Sequence, residues 1–101
     1  MPDGTAWMLG YEAYLSVAQA WLAQDDPERA RAVLAPLRAT AEREPWTVAL
    51  AEALVVDGRA LVRLGERGQA RSDLERAARI AAEHRLPYVL RDARSALRLL
   101  R

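Results

Sequence analysis

Residues 18–34, AQAWLAQDDPERARAVL, return in altered form at residues 58–74, GRALVRLGERGQARSDL. Displacing the chain by forty positions sets Ala18 on Gly58, Trp21 on Leu61, Ala30 on Ala70, Arg31 on Arg71 and Leu34 on Leu74. The breaker in the middle falls on its counterpart too, Asp26-Pro27-Glu28 on Glu66-Arg67-Gly68. Each stretch runs from the end of one apolar-periodic segment into the start of the next, so each reads as a helix–turn–helix. Self-similarity at a fixed spacing is the mark of a repeat. A generic antiparallel bundle has the same binary patterning but no reason to resemble itself at forty residues. Two units follow, near 11–50 and 51–90, and the remaining segment starts a third unit or caps the second.

Working outward, the breakers divide the whole chain. Asp25-Asp26-Pro27-Glu28 is a helix start, with an Asp cap, Pro at the first helical position and an acid in the first turn. Glu44-Pro45 is a boundary because Pro disfavours helix at the residue before it. Gly65 is placed to take the left-handed end of a helix, and Leu86-Pro87 marks the last junction. These signals predict five helices, over 6–24, 27–43, 46–64, 67–84 and 87–100. Short connections make successive helices antiparallel neighbours. Every segment carries an apolar stripe at helical spacing, for example Ala30, Val33, Leu34 and Leu37, or Leu90, Ala93, Leu97 and Leu100.

Composition agrees. The apolar half of the 101 residues is mostly Ala and Leu, strong helix formers, with no Phe. The chain is therefore expected to be all-α, in one small domain spanning 1–101. Fifteen basic residues against fourteen acidic leave a net charge of +1, which draws neither nucleic acid nor anionic membrane. The basic residues are all Arg, which together with abundant Ala suits a GC-rich bacterial genome. Without cysteine there is no disulfide or thiolate metal site. No apolar run is long enough to span a membrane and the first residues lack a signal-peptide pattern, so a cytoplasmic location is expected.

The small–large order of the repeated positions resembles the tetratricopeptide repeat family. In that family a small residue early in the first helix lets the second pack closely, and a large one follows three positions later. An Ala then opens the second helix, with a large apolar residue four positions on. Ala18, Trp21, Ala30 and Leu34 stand in those places in the first unit, and Gly58, Leu61, Ala70 and Leu74 in the second. The family's early Trp is Tyr14 and Leu54 here, and its closing Pro is replaced by Glu42 and Ala82, with Pro45 and Pro87 slightly later. The period is forty rather than about thirty-four. Longer repeats of this kind resemble those of bacterial signal-transduction ATPases and large transcription activators. The resemblance implies a short right-handed solenoid of about two and a half units, with the helix over 87–100 as its cap. It also implies a scaffold that holds a protein or peptide, or a sensor and coupling piece of a larger regulator.

A search for chemistry leaves little. His84 is the only histidine, near a helix C-terminus where a cation suits the dipole. Ser16, Ser72 and Ser95 have no nucleophile elbow, and Gly65 and Gly68 have no following Lys to make a phosphate loop. Neither an enzyme, a cofactor nor a metal site is expected.

Binding surfaces remain. By the family pattern, one face of each first helix lines a peptide groove. That gives Glu12, Leu15, Gln19 and Leu22 in the first unit and Glu52, Val55, Arg59, Val62 and Arg63 in the second. Arg59 and Arg63 lie four apart and point the same way, beside Val55 and Val62, a pattern that suits an acidic, partly apolar peptide. The alternative is that both arginines are solvated or pair with Glu52 and Asp57. The first helix carries Trp7, Met8, Tyr11 and Tyr14, aromatic-rich and with no preceding repeat to cover them, which points either to self-association as a homodimer or to excision from a longer array; the alternative is that Trp7 folds back onto its own helix pair. Arg91, Arg94, Arg98 and Arg101 form a basic stripe on the last helix. A solvated face explains the stripe better than nucleic acid does, since no aromatic is interleaved for base stacking.

Overall fold

A computed structural model describes the backbone of residues 4–101 and the side chains of residues 10–101. The described residues form five helices: α1 Gly4–Ala23, α2 Pro27–Arg43, α3 Thr47–Arg63, α4 Arg67–Glu83 and α5 Pro87–Arg98. The fold is all-α, as expected, and the helix boundaries lie within two residues of those the breakers predict. The last helix stops at Arg98, so Arg101 falls beyond it.

Four turns of one design join the helices. The backbone N–H groups of Asp26, Trp46, Glu66 and Leu86 donate to the carbonyls of Trp21, Ala41, Leu61 and Ala81, always five residues back. This is the six-to-one closure of a Schellman C-cap. The same four residues then open the next helix, their carbonyls accepting from Ala30, Leu50, Ala70 and Leu90. The turns thus recur every twenty residues, half the period visible in the sequence. The left-handed residue in them is Gly65 (φ 77°) as predicted, and also Asp25 (φ 59°) and Arg85 (φ 56°). Asp26 caps α2, its side chain accepting the Arg29 N–H at 3.1 Å. Pro36 sits inside α2, on its exposed side, while Leu34 and Leu37 flank it in the core. The helix therefore continues through a residue that removes one backbone donor.

Successive helices pack on one another, and so do α1–α3 and α3–α5, whereas α2 and α4 do not pack directly. The odd-numbered helices form one layer and the even-numbered helices the other, with α3 against all four neighbours. Leu15, Ala18 and Leu22 of α1 share a core with Ala30, Leu34 and Leu37 of α2 and Ala53, Val56 and Ala60 of α3. Leu50, Leu54 and Val55 of α3 join Ala77 and Ala81 of α4 and Val89 and Ala93 of α5. At the far end Leu61, Ala70, Leu74, Ala96 and Leu100 close the interior.

The small residue of the second unit has a direct reason. A Cβ on Gly58 would sit 2.6 Å from Leu74 Cδ2 and 2.7 Å from its Cγ, inside contact distance. Leu74 is fully buried and has little freedom to retreat. Gly58→Ala gains about 1 kcal/mol of helix propensity but overpacks the site at a cost of about 1–3 kcal/mol. We expect Gly58→Ala to lower the denaturant midpoint. In a Leu74→Ala background, where the space is open, the same substitution should raise it; a double-mutant cycle with equal signs in both backgrounds would refute the contact.

Candidate functional site

The two layers leave a concavity on each side of α3. Between α2 and α4 lies an open groove of about 730 Å³, walled by Ala32, Ala35 and Ala39 of α2 and by Gln69 and Ser72 of α4. Its floor holds an ion network. Arg38 donates through Nη1 to Asp57 Oδ2 at 2.9 Å, and forks Asp73 through Nη1 at 2.7 Å and Nη2 at 3.0 Å. Arg31 Nε completes Asp57 at 2.7 Å to Oδ1. Arg76 and Glu42 pair across the rim. Both aspartates are buried, so the network ties α2, α3 and α4 together where α2 and α4 have no direct packing. Burial works against the Arg38 charge, yet Asp73 and Asp57 together hold its guanidinium above the usual range. Burial likewise pushes the Asp73 carboxyl up, and the Arg38 fork opposes it.

The other face carries the residues expected to line a groove. Leu15 and Gln19 of α1, Glu52, Val55 and Arg59 of α3, and Tyr88 and Asp92 of α5 surround a cavity of about 200 Å³. Gln19, Leu22, Arg59, Val62, Arg63 and Leu99 line a second of about 480 Å³ beside it. Gln19, Glu52, Val55, Arg59, Val62 and Arg63 are therefore brought to one surface, although Val55 itself is buried. Arg63 is already committed, donating through Nη1 to the Leu22 carbonyl at 2.9 Å and to Asp25 at 3.2 Å. There it caps the end of α1, and neither Glu52 nor Asp57 is its partner. Arg59 lines both cavities and has no side-chain hydrogen bond or ion pair among the described residues.

At the opposite edge of this face Glu12 lies close enough to Glu52 for its charge to act on it, while Asp92 lines the cavity shared by Glu52 and Arg59 and pairs with Arg91. Glu12, Glu52 and Asp92 are forty-residue equivalents on α1, α3 and α5. Tyr11 donates its hydroxyl to Glu52 Oε1 at 3.4 Å. Burial pushes the Glu52 carboxyl above its ordinary value; the Tyr11 bond opposes that and the charge of Glu12 adds to it. Burial, then Glu52 and Glu12, raise both the Tyr11 and the Tyr88 hydroxyls. From Glu52 to Arg59 the separation along α3 is about 10 Å at 1.5 Å per residue. The face is thus acidic at one edge and basic at the other, not uniformly basic.

Compared with family models, curated proteins and solved structures, the chain matches none.

Trp7 and Met8 lie outside the described side chains. Tyr11 and Tyr14 are half-buried against the α1–α2–α3 core, because their face of α1 is the one that α2 and α3 cover. A small apolar cavity of about 220 Å³ lies between Tyr11, Trp46 and Val48. Arg91, Arg94, Arg98 and Arg101 are exposed, and Arg91 reaches Asp92 at 3.5 Å. His84 is the exposed C-cap of α4. Among the described residues no three His, Asp or Glu side chains converge as a metal site would need, and no helix is long and apolar enough to cross a membrane. Residue spacing did not point to the Arg38 network. Its only trace in the sequence is that Asp57 and Asp73 stand where Val17 and Val33 stand forty residues earlier, charge in place of an apolar residue.

Two measurements test these electrostatic assignments. Arg38→Met leaves two buried carboxylates without their shared cation and should cost about 3–5 kcal/mol in denaturant unfolding. Adding Asp57→Val and Asp73→Val should restore most of that loss; a triple variant as unstable as the single one would refute the network. For Glu52 the folded state keeps its proton to a higher pH than the unfolded chain does. Ionisation through that interval therefore costs stability, which is recovered as pH falls below the ordinary carboxylate range. Glu52→Gln should raise the melting temperature at pH 7, and the gain should shrink steadily as the pH is lowered.

Proposed function

We propose that this chain is a non-catalytic interaction module that holds an extended peptide of another protein across α1, α3 and α5. The observation that carries the reading is Arg59, a guanidinium with no ion pair standing between two adjoining cavities, beside Gln19, Val62 and Leu99. Guanidinium forks recognise carboxylates through paired hydrogen bonds. A peptide lying across this face places an acidic residue over Arg59 and apolar side chains against Leu22, Val62 and Leu99. Its other end lies toward Glu12, Glu52 and Asp92, which favour a basic or neutral residue there. The α2–α4 groove is larger, but its carboxylates and arginines already satisfy one another. A ligand there would have to break a buried network to gain contacts.

The forty-residue correspondence, the close Gly58–Leu74 approach and the contacts of α1 with α3 and of α3 with α5 support a tetratricopeptide-like stack, the short right-handed solenoid of the resemblance. A module of this kind would act in the cytoplasm.

Selection of peptides from a random display library on the purified protein tests the reading. Enriched peptides should share an acidic residue near apolar ones. They should bind Arg59→Glu at least about tenfold more weakly, a loss near 1.4 kcal/mol. The exposed control Arg79→Glu, on α4, should leave binding unchanged. Equal binding to wild type and Arg59→Glu would place the ligand elsewhere.

A further inference from the structure

The forty-residue register sorts the sides of the odd-numbered helices. On α1, Tyr14, Ala18 and Trp21 face the core that α2 completes with Ala30, Leu34 and Leu37. On α3 the equivalent residues are Leu54, Gly58 and Leu61, and they receive α4. A Cβ on Gly58 would strike Leu74, while Leu61 shares a core with Ala70 and Leu74, and Leu54 with Ala77. On α5 and the turn that follows it the same three places hold Arg94, Arg98 and, past the helix end, Arg101, preceded by Arg91 where α3 has Ala51. In each earlier unit this side accepts the next helix; in α5 it is a row of exposed arginines.

The row is displayed on a well-anchored helix. Val89, Ala93, Ala96 and Leu100, on the opposite side of α5, are buried. Arg67 and Arg71 of α4 donate to the Leu100 carbonyl at 2.7 and 3.1 Å, closing the C-terminal end of α5. Arg91 is occupied in part by Asp92. Arg94, Arg98 and Arg101 have no side-chain partner among the described residues.

We infer that this side of α5 docks an acidic helix from another protein, in the manner in which α2 and α4 lie on the equivalent sides of α1 and α3. The helices that lie on the equivalent sides present their inner residues at i, i+4 and i+7: Ala30, Leu34 and Leu37 in α2, and Ala70, Leu74 and Ala77 in α4. Carboxylates at that spacing meet the arginines of α5, each pair able to form a forked bond. The aliphatic stems of the arginines supply apolar cover between those bonds. A second copy of this chain does not fit, because none of its helices carries two carboxylates four residues apart. Nucleic acid fits poorly as well: the one aromatic of α5, Tyr88, lines the cavity beside Glu52 on a different side. The site is separate from the Arg59 face and does not depend on it.

The test uses the 101-residue protein and a fluorescent, side-chain-stapled helical peptide of about eighteen residues, long enough to hold two turns of contacts once stapled. One version carries Glu at i, i+4 and i+7 on an Ala-rich face; a second carries Gln there; a DNA duplex of similar length is the third probe. At about 50 mM salt the Glu peptide should bind, and the Gln peptide at least about tenfold more weakly. Arg94→Gln/Arg98→Gln should lose binding about tenfold with an unchanged thermal melt, since both side chains are exposed. Arg59→Glu should leave this binding intact, which separates it from the peptide face. Equal binding of the Glu peptide to the double variant, no binding of either peptide, or tighter binding of the duplex would each overturn the inference. So would a concentration-dependent dimer in light scattering that Arg94→Gln/Arg98→Gln abolishes.

Discussion

Helix α3 has almost no side to spare for water: eleven of its seventeen residues are buried, so its neighbours must cover it on nearly every side. Ala53, Val56 and Ala60 need α1 and α2, while Leu54, Gly58 and Leu61 need α4. Once those two sides are covered, the short turns leave α5 only the remaining flank, where Val89 and Ala93 complete the core around Leu50 and Val55. The close approach at Gly58 sets the α3–α4 spacing, and a bulkier residue would open that interface by pressing on Leu74. Burial of one central helix thus decides where the other four go.

Layering follows from this and makes the two faces chemically unlike. The odd-numbered helices pack on one another, so the clefts on their side are smaller and lined by chemically mixed residues. The even-numbered helices do not, so a wide groove remains with part of α3 at its floor. Asp57 is the one charged residue among the buried positions of α3, and it faces that floor. A lone carboxylate there would be costly, and Arg38 offsets the cost by reaching both Asp57 and Asp73. The groove is therefore largely spent on holding the protein together. The smaller clefts of the opposite face keep an arginine without a partner and a half-buried carboxylate held only by a tyrosine hydroxyl, the kinds of group that a bound chain can satisfy.

Much of the architecture was legible in the residues. Pro27, Pro45, Gly65 and Pro87 act through their own backbone geometry, so the helix boundaries needed no tertiary information. The apolar spacing gave each helix its buried side, and Gly58 over Ala18 pointed to the tight crossing. The membership of the Arg59 face was also readable, because residues seven or eight apart share a side of one helix wherever that helix lies. The commitments of individual charges were not. Arg63 lies four residues from Arg59, yet one caps α1 and the other is free of partners, a difference set by where Leu22 and Asp25 arrive in space. Tyr11 and Tyr14 read as part of one aromatic end, and tertiary packing half-buries both, with Tyr11 reaching Glu52 of α3.

The sequence by itself determined five helices, their turns and a forty-residue repeat, since these depend on backbone preferences and on periodicity within one segment. Tertiary structure alone decided that the turns share one hydrogen-bonded design every twenty residues, despite Gly65, Asp25 and Arg85 having nothing in common as side chains. It also decided that Asp57 and Asp73 meet across three helices on Arg38. A long, flexible arginine has several carboxylates within reach of its position in the chain. Only the packing of Leu54, Gly58 and Leu61 against α4 fixes which of them it meets and how far from water the pair is held.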